Sequence, residues 1–177
     1  NIDKLANKSI VFQNAYTTAT HSDYAQPGLL SSRHMLTNEF RNSYSDDHPR
    51  KFIWDIFSSA GYATAYYSSQ DDRWENMKEY YDFLNLDAYS DSMTDGEYDY
   101  GFASASKDFD HVTADKALEW LDQNNDKEFF LYLNFQATHE PMAYPDEYSF
   151  YTPDAGNGIL TLGEENIVNR YDNALRY

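Results

Sequence analysis

The alternation of short apolar segments with amphipathic ones is the feature that most constrains the fold of this chain. Phe129 to Leu133 form the longest apolar run, and residues 129–135 are predicted to be a parallel strand buried on both faces. Residues 9–16 and 62–67 predict two further short strands. Because strands alternate with helical patterns, the sequence predicts an α/β sandwich with a mostly parallel sheet.

Apolar residues at three- and four-residue spacing predict the helices. They cover residues around 27–35, 52–60, 74–85, 114–121 and 164–177. The first helix begins either with a capping box from Asp23 to Gln26 or with Pro27 at its first position. Either start leaves Ser22 just before a helix N-terminus, where backbone N–H groups favour an anion.

Caps and loops complete the predicted order of elements. Gly61 is predicted to follow the end of the second helix, and Thr113 to cap the fourth. Residues 87–108 are acidic, rich in tyrosine and aperiodic, so they are predicted to form a long loop. Residues 139–162 are predicted to be loop as well.

Composition excludes several classes of protein. The 177 residues fit one domain, and an aromatic content of 18% argues against disorder. A net charge of −17 predicts no nucleic-acid binding, because such a surface repels phosphate backbones. It suits a secreted, marine or salt-adapted protein, with an ordinary acidic surface as the alternative. The absence of cysteine excludes disulfides and thiol catalysis, and the chain has no apolar run of the roughly 20 residues that span a bilayer.

Two segments carry a resemblance to a known family. Residues 14–33 read NAYTTATHSDYAQPGLLSSR, and residues 129–141 read FFLYLNFQATHEP. They resemble the nucleophile segment and the later substrate-side histidine of the sulfatases, which belong to the alkaline phosphatase superfamily. Shorter matches at residues 1–6, 61–65 and 110–121 follow in the family's order.

The resemblance implies a partial alkaline-phosphatase-like domain, a three-layer α/β/α sandwich with a mostly parallel sheet. Residues 1–177 are expected to form part of a single sulfatase-like catalytic domain, lacking its first strand and the C-terminal region with the main metal ligands. The family implies a divalent metal, Ca²⁺, Zn²⁺ or Mn²⁺, in the full-length protein. It also favours an extracytoplasmic or secreted location, since members often carry an export signal or membrane anchor upstream.

On the family pattern Ser22 falls on the nucleophile, and the resemblance implies that its hydroxyl also contacts the metal. Residues 24–26 read Tyr-Ala-Gln where the family has the P-S-R that marks a residue for oxidation to formylglycine. Ser22 is therefore expected to act as an unmodified hydroxyl. Thr20 is an alternative nucleophile, because phosphodiesterase and phosphotransferase branches use threonine. Arg33 falls on the arginine of the segment and is expected to bind substrate.

The resemblance also implies roles for residues after two later strands. His139 matches the histidine that contacts the transferred group, neutralising charge or protonating the leaving oxygen; a structural loop histidine is the alternative. Residues 68–71 read Ser-Ser-Gln-Asp where sulfatases usually read G-K-W-H. Ser69 and Asp71 thus replace the lysine and histidine that grip a sulfate oxygen. They are expected to line the substrate site, with a surface loop as the alternative.

Two functions compete on this evidence. The favoured hypothesis is a metal-dependent hydrolase or transferase of sulfate or phosphate esters, small-molecule or glycan, active in the full-length protein and inactive as this piece alone. The alternative is a catalytically silent sulfatase-like domain used for binding or assembly. Loss of P-S-R and of the lysine favours the silent domain, whereas Ser22 and His139 favour the enzyme.

Overall fold

The computed structural model describes residues 2–34, 50–81, 83–94, 109–154 and 164–177. The chain divides into two compact units, Asn1–Arg50 and Lys51–Tyr177, and each is described by itself. The first unit contains helices α1 (Ile2–Ala6) and α2 (Ser22–Ser31).

The segment between α1 and α2 forms no strand, so the strand predicted at residues 9–16 is wrong. A strand requires a neighbour to satisfy its backbone groups, and this segment forms no ladder with the described residues. Its apolar side chains lie in solvent instead: Ile10 is 85% and Phe12 78% exposed. The apolar pattern alone therefore indicated a strand that lacks a pairing partner among the described residues.

Helix α2 starts five residues before Pro27, so a helix start at that proline is wrong. His21 is the N-cap residue, with an extended backbone at φ −118° and ψ 146°, and its side chain makes no capping bond. Pro27 lies inside the helix, where it removes the N–H that would bond the Asp23 carbonyl. Ser22 therefore belongs to the first turn of α2.

The second unit is built around a parallel sheet. Its elements are α3 (Ile53–Ser59), β1 (Ala63–Ser68), α4 (Met77–Tyr81), β2 (Ala88–Ser90), α5 (Asp110–Gln123), β3 (Phe129–Asn134) and α6 (Glu164–Arg176), with short 3₁₀ turns at Trp74–Asn76, Phe83–Asn85 and Asp146–Tyr148. The strand order is β2-β1-β3, all parallel. Ala63 pairs with Phe129 at one end of β1, and Ser68 pairs with Asn134 at the other. The predicted α/β class with a parallel sheet is confirmed.

Strand β1 is the centre of this sheet, and all six of its residues are buried. Strand β3 is less covered than predicted, because within the described residues it is an edge strand. Phe129 remains 48% exposed and Leu133 37% exposed. Burial of β3 on both faces, as the apolar run suggested, is therefore not observed in the described part of the chain.

Helices cover both faces of the sheet, because side chains of a strand alternate between its faces. Ala63, Ala65 and Tyr67 of β1 pack with Ala117 and Trp120 of α5. On the other face an aromatic cluster joins the strands to α3 and α4; its members include Phe52, Trp54, Tyr66, Tyr81 and Phe83. These two contacts produce the α/β/α layering.

Several boundaries differ from the predictions. Residues 74–85 form two 3₁₀ turns around the five-residue α4 instead of one helix. The segment predicted as a loop from residue 87 contains strand β2, which is recruited by pairing with β1. Helix α5 begins at Asp110 after Phe109, so Thr113 lies inside it and is not its cap. Gly61, at φ +87°, and the last helix are confirmed. None of the described helices is both long and apolar enough to cross a bilayer.

Candidate functional site

Ser22 is the first residue of the ten-residue helix α2, and its side chain is exposed. The turn is closed by the Ala25 N–H, which donates to the His21 carbonyl at 2.9 Å. The Ser22 hydroxyl makes no hydrogen bond within the described part of the chain. Because the dipole of a helix favours negative charge at its N-terminus, the hydroxyl lies where such charge is stabilised.

The segment before Ser22 lies directly against α2. A Cβ atom at Gly28 would be 2.9 Å from Thr18 Oγ1 and 2.9 Å from the Arg33 carbonyl oxygen, so the close approach requires glycine. Next to Ser22, Thr20 Oγ1 lies 3.1 Å from His21 Nδ1. Thr20 thus has a potential base within hydrogen-bond reach, as an activated hydroxyl requires.

Arg33 lies at the opposite end of α2 from Ser22. Its backbone N–H donates to the Gly28 carbonyl at 3.2 Å, after Ser32 at φ 54°. A ten-residue helix is about 15 Å long, which is the separation that the Arg33 side chain has to bridge to reach the first turn. Its role in substrate binding stays a prediction.

The carboxyl ends of β1 and β3 bring the other predicted residues to one edge of the sheet. The Ser69 N–H donates to the Asn134 carbonyl at 2.9 Å, and Gln136 Nε2 donates to Gln70 Oε1 at 3.2 Å. The turn that contains Ser69 and the turn that leads to His139 are therefore neighbours. Ligands of open α/β sheets bind at this edge.

Ser69 and Asp71 both have partners within the protein. Ser69 is fully buried, and its hydroxyl lies 2.7 Å from Thr113 Oγ1, which explains why Thr113 bonds the sheet instead of capping α5. Asp71 accepts from Arg73 Nε at 2.9 Å and from Arg73 Nη2 at 2.7 Å. This bidentate bond holds the pKa of the Asp71 carboxyl below its usual value. Substrate contacts from both residues stay predictions.

Two buried carboxylates that the sequence analysis did not predict lie close to Ser69 and Asp71. The Tyr89 hydroxyl is 2.8 Å from Asp91 Oδ2 and 3.2 Å from Asp72 Oδ2, and both aspartates are buried. Burial, followed by the charge of Asp91, raises the pKa of Asp72 to about 7. The signal in the sequence was an Asp following each of two parallel strands, but the second strand was not predicted. Asp72 can hold a proton at neutral pH.

His139 is exposed in the turn after β3. Its N–H donates to the Gln136 carbonyl at 3.0 Å, and Met142 N–H donates to the His139 carbonyl at 2.7 Å. The ring nitrogen Nδ1 lies 2.8 Å from the Glu140 carbonyl oxygen. Because a carbonyl only accepts, Nδ1 carries the proton, and in the neutral ring Nε2 is the acceptor. That tautomer suits a proton-transfer role at Nε2.

The donor set for the implied metal is incomplete. Within the described ranges no group of three or more His, Cys, Asp or Glu side chains could hold a metal ion. Ser22 offers a single neutral oxygen, whereas divalent cations take four or more ligands. The residues described here do not by themselves fit the metal. Ser22 and His139 belong to different compact units, so their shared site also stays a prediction.

Comparison with solved structures identifies relatives of this fold. The lipoteichoic acid synthase LtaP from Listeria monocytogenes superimposes with a TM-score of 0.65 at 19% identity, covering 90% of this chain and 40% of that one. A protein of the alkaline phosphatase superfamily from Vibrio parahaemolyticus gives 0.60 at 19% identity, covering 90% and 38%. The C-terminal periplasmic domain of EptC from Escherichia coli, solved in complex with Zn, gives 0.56 at 16% identity, covering 87% and 41%.

These likenesses confirm an alkaline-phosphatase-like fold. The chain spans about two fifths of the length of these solved relatives. No curated protein matches it in sequence. The sulfatase family model, however, matches residues 1–177, which is the whole sequence. The chain therefore belongs to the sulfatase family.

Proposed function

We propose that the full-length protein hydrolyses or transfers sulfate or phosphate esters, with Ser22 as nucleophile. The observation that carries the proposal is the position of Ser22, exposed in the first turn of α2 with its hydroxyl making no hydrogen bond within the described residues. An incoming sulfuryl or phosphoryl group would meet the N–H groups of that turn, which stabilise its negative charge. The Ser22 oxygen forms a bond to sulfur or phosphorus while the bond to the ester oxygen breaks, and the hydroxyl proton passes to solvent. Water or an acceptor hydroxyl then takes the group from Ser22.

His139 is proposed to protonate the leaving oxygen or to neutralise charge on the transferred group. Support comes from its exposed ring, from the Nδ1 proton fixed by the Glu140 carbonyl and from the position of its turn at the carboxyl edge of the sheet. The Ser69 and Asp71 turn borders the same edge, which favours a role in shaping the substrate site. Arg33 is proposed as a further contact of the substrate anion.

A divalent metal, Ca²⁺, Zn²⁺ or Mn²⁺, remains part of the proposal for the full-length protein only. The described residues do not supply its donor set, so no step is assigned to it. We propose that this chain is the central part of one catalytic domain and that its main metal ligands lie outside the described residues. The proposed substrate is a small-molecule or glycan ester and not a nucleic acid, in keeping with the charge of −17. The periplasmic domain of EptC supports an extracytoplasmic location.

One observation favours the silent alternative. Ser69 and Asp71, which replace the lysine and histidine of the family, are already engaged by Thr113 and Arg73. A domain that kept the fold for binding or assembly would need no cation at those positions. The two functions therefore differ in one measurable property, turnover that depends on Ser22.

The test is an assay of the full-length protein with p-nitrophenyl sulfate, p-nitrophenyl phosphate and bis(p-nitrophenyl) phosphate, with added Ca²⁺, Zn²⁺ or Mn²⁺. Turnover is expected in the wild type and lost in Ser22→Ala. Ser59→Ala, an exposed helical serine of α3, is the matched control and keeps full activity. Loss of turnover in Thr20→Ala, with turnover retained in Ser22→Ala, would identify Thr20 as the nucleophile instead. Wild-type turnover that survives Ser22→Ala refutes the assignment, and no turnover on any ester supports the silent domain.

A further inference from the structure

The turn that carries His139 is held at its first end by Asp110. The Gln136 N–H donates to Asp110 Oδ1 at 2.7 Å, and the Ala137 N–H donates to Oδ2 at 2.9 Å. Both carboxylate oxygens are used on two consecutive backbone groups, an arrangement that is stronger and more directional than a neutral hydrogen bond. Asp110 is also the first residue of α5, where the helix dipole stabilises its charge.

The other end of the turn is held by α6. Arg170 Nη2 donates to the Pro141 carbonyl at 2.8 Å and to the Met142 carbonyl at 3.3 Å. Met142 is buried and packs with Ala137 and Ala174. The turn is thus anchored by charged side chains on its two flanks and by an apolar contact beneath.

A third contact joins the two anchoring helices. Tyr177 is the residue that follows α6. Its hydroxyl accepts a hydrogen bond from the His111 backbone N–H at 2.8 Å and lies 2.6 Å from His111 Nδ1. His111 is the residue after Asp110 in α5. Each helix is therefore fixed to the turn and to the other helix, which closes a ring of contacts around residues 136–142.

We propose that Asp110, Arg170 and Tyr177 are positioning residues that fix the orientation of His139, an inference that rests on the proposed function of this histidine. Asp110 and Arg170 hold the backbone on either side of His139, and Tyr177 joins the helices that carry them. The contacts of these three side chains are called the brace below. The Glu140 carbonyl that sets the tautomer of the His139 ring lies inside the turn that the brace holds. Loosening the brace frees that carbonyl and mixes the two tautomers.

The direct test needs no substrate. Hydrogen–deuterium exchange of the full-length protein is expected to show protected amides at Gln136 and Ala137, and Asp110→Asn is expected to exchange them about tenfold faster. In this variant an NH₂ group replaces one of the two accepting oxygens, and because NH₂ only donates, it opposes the backbone N–H that this oxygen accepted. Asp122→Asn removes the same charge from an exposed position of the same helix and is expected to change nothing.

Nitrogen-15 spectra of the histidine rings supply a second readout, with the His139 signal assigned by its loss in His139→Ala. The wild type is expected to show one Nδ1-protonated form, and Asp110→Asn and Arg170→Gln a mixture. Unchanged exchange and an unchanged His139 signal in both variants overturn the brace. Should Asp110→Asn fail to fold, Arg170→Gln and Tyr177→Phe decide by the same two measurements.

Kinetics separate this inference from the proposed function. If His139→Ala retains full turnover, the assignment of His139 fails while the brace is still judged by exchange and spectra. If His139→Ala loses turnover, Asp110→Asn is expected to lower kcat about tenfold or more with little change in KM, because a misplaced group costs reaction rate more than binding. A KM effect alone would contradict the positioning role.

Discussion

Replacing Asp72 by Asn is expected to stabilise the protein and to remove part of its pH dependence. The Tyr89 hydroxyl has one proton and lies between two carboxylates, closer to Asp91 than to Asp72. The Tyr89 hydroxyl therefore donates its proton to Asp91, and Asp72 is the carboxyl group that is more stable in its protonated, neutral form. An Asn at position 72 can donate its NH₂ group to the Tyr89 oxygen, as the protonated acid does.

The magnitude follows from the raised pKa. The Asp72 carboxyl has a pKa of about 7 in the folded protein against an ordinary value of 3.8. Between those values the folded protein binds more protons than the unfolded chain, so this group lowers the free energy of unfolding as pH rises. The full effect is about 4 kcal/mol, and more than half of it is lost between pH 5 and pH 8.

Urea unfolding, followed by the fluorescence of tryptophans such as the buried Trp54, measures this effect. We expect the advantage of Asp72→Asn over the wild type to grow by about 2–3 kcal/mol from pH 5 to pH 8. The other carboxylates contribute to both proteins and cancel in the difference. Asp122→Asn, an exposed position on α5, controls for the loss of one charge.

A difference between variant and wild type that stays constant within about 0.5 kcal/mol over this range would refute the reasoning. So would a destabilisation of Asp72→Asn at pH 8. Either result would mean that Asp72 is ionised and well solvated in the folded protein, and that the Asp72–Tyr89–Asp91 arrangement does not hold a proton at neutral pH.

Further predictions concern packing and the polar network under α6. Gly28→Ala places a Cβ atom 2.9 Å from Thr18 Oγ1 and is expected to cost about 1–3 kcal/mol of stability and to displace the segment before Ser22; urea unfolding without such a loss would contradict it. Asn173→Ala is expected to cost about 2–4 kcal/mol, because Asn173 Oδ1 accepts the Phe150 and Tyr151 N–H groups at 3.0 and 2.9 Å. Limited proteolysis of residues 144–154 checks this second change, which unaltered resistance would contradict.

The sequence predicted elements whose pattern is set by local burial. Helix α6, the end of α3 at Gly61 and the strands β1 and β3 follow from apolar spacing and a glycine at positive φ. Strand β2 was missed because only three residues, Ala88–Ser90, pair with β1, and an acidic stretch surrounds them. A side chain outside the strand helps to hold this pairing, since the carboxylate of Asp87, the residue before β2, accepts the Thr64 N–H of β1 at 2.8 Å.

The candidate site was likewise predicted only in part from the sequence. The resemblance predicts Ser22 and His139 as site residues, but the contacts that hold the turn of His139 join residues far apart in sequence. Asp110 binds backbone groups 26 and 27 residues away, and no periodicity indicates such a pair. The run at residues 9–16 failed for the opposite reason, since an apolar pattern predicts a strand without supplying the neighbour that it needs.

The central claim is that Ser22 is the nucleophile, and the most direct measurement is the detection of its covalent intermediate. The full-length protein is mixed with p-nitrophenyl sulfate or p-nitrophenyl phosphate, quenched in acid within the first turnover and digested for mass spectrometry. We predict one sulfuryl or phosphoryl group on the peptide that contains Ser22, localised to Ser22 by fragmentation and absent from Ser22→Ala. Turnover with the group on Thr20, or with no modified peptide and full activity in Ser22→Ala, would contradict the claim.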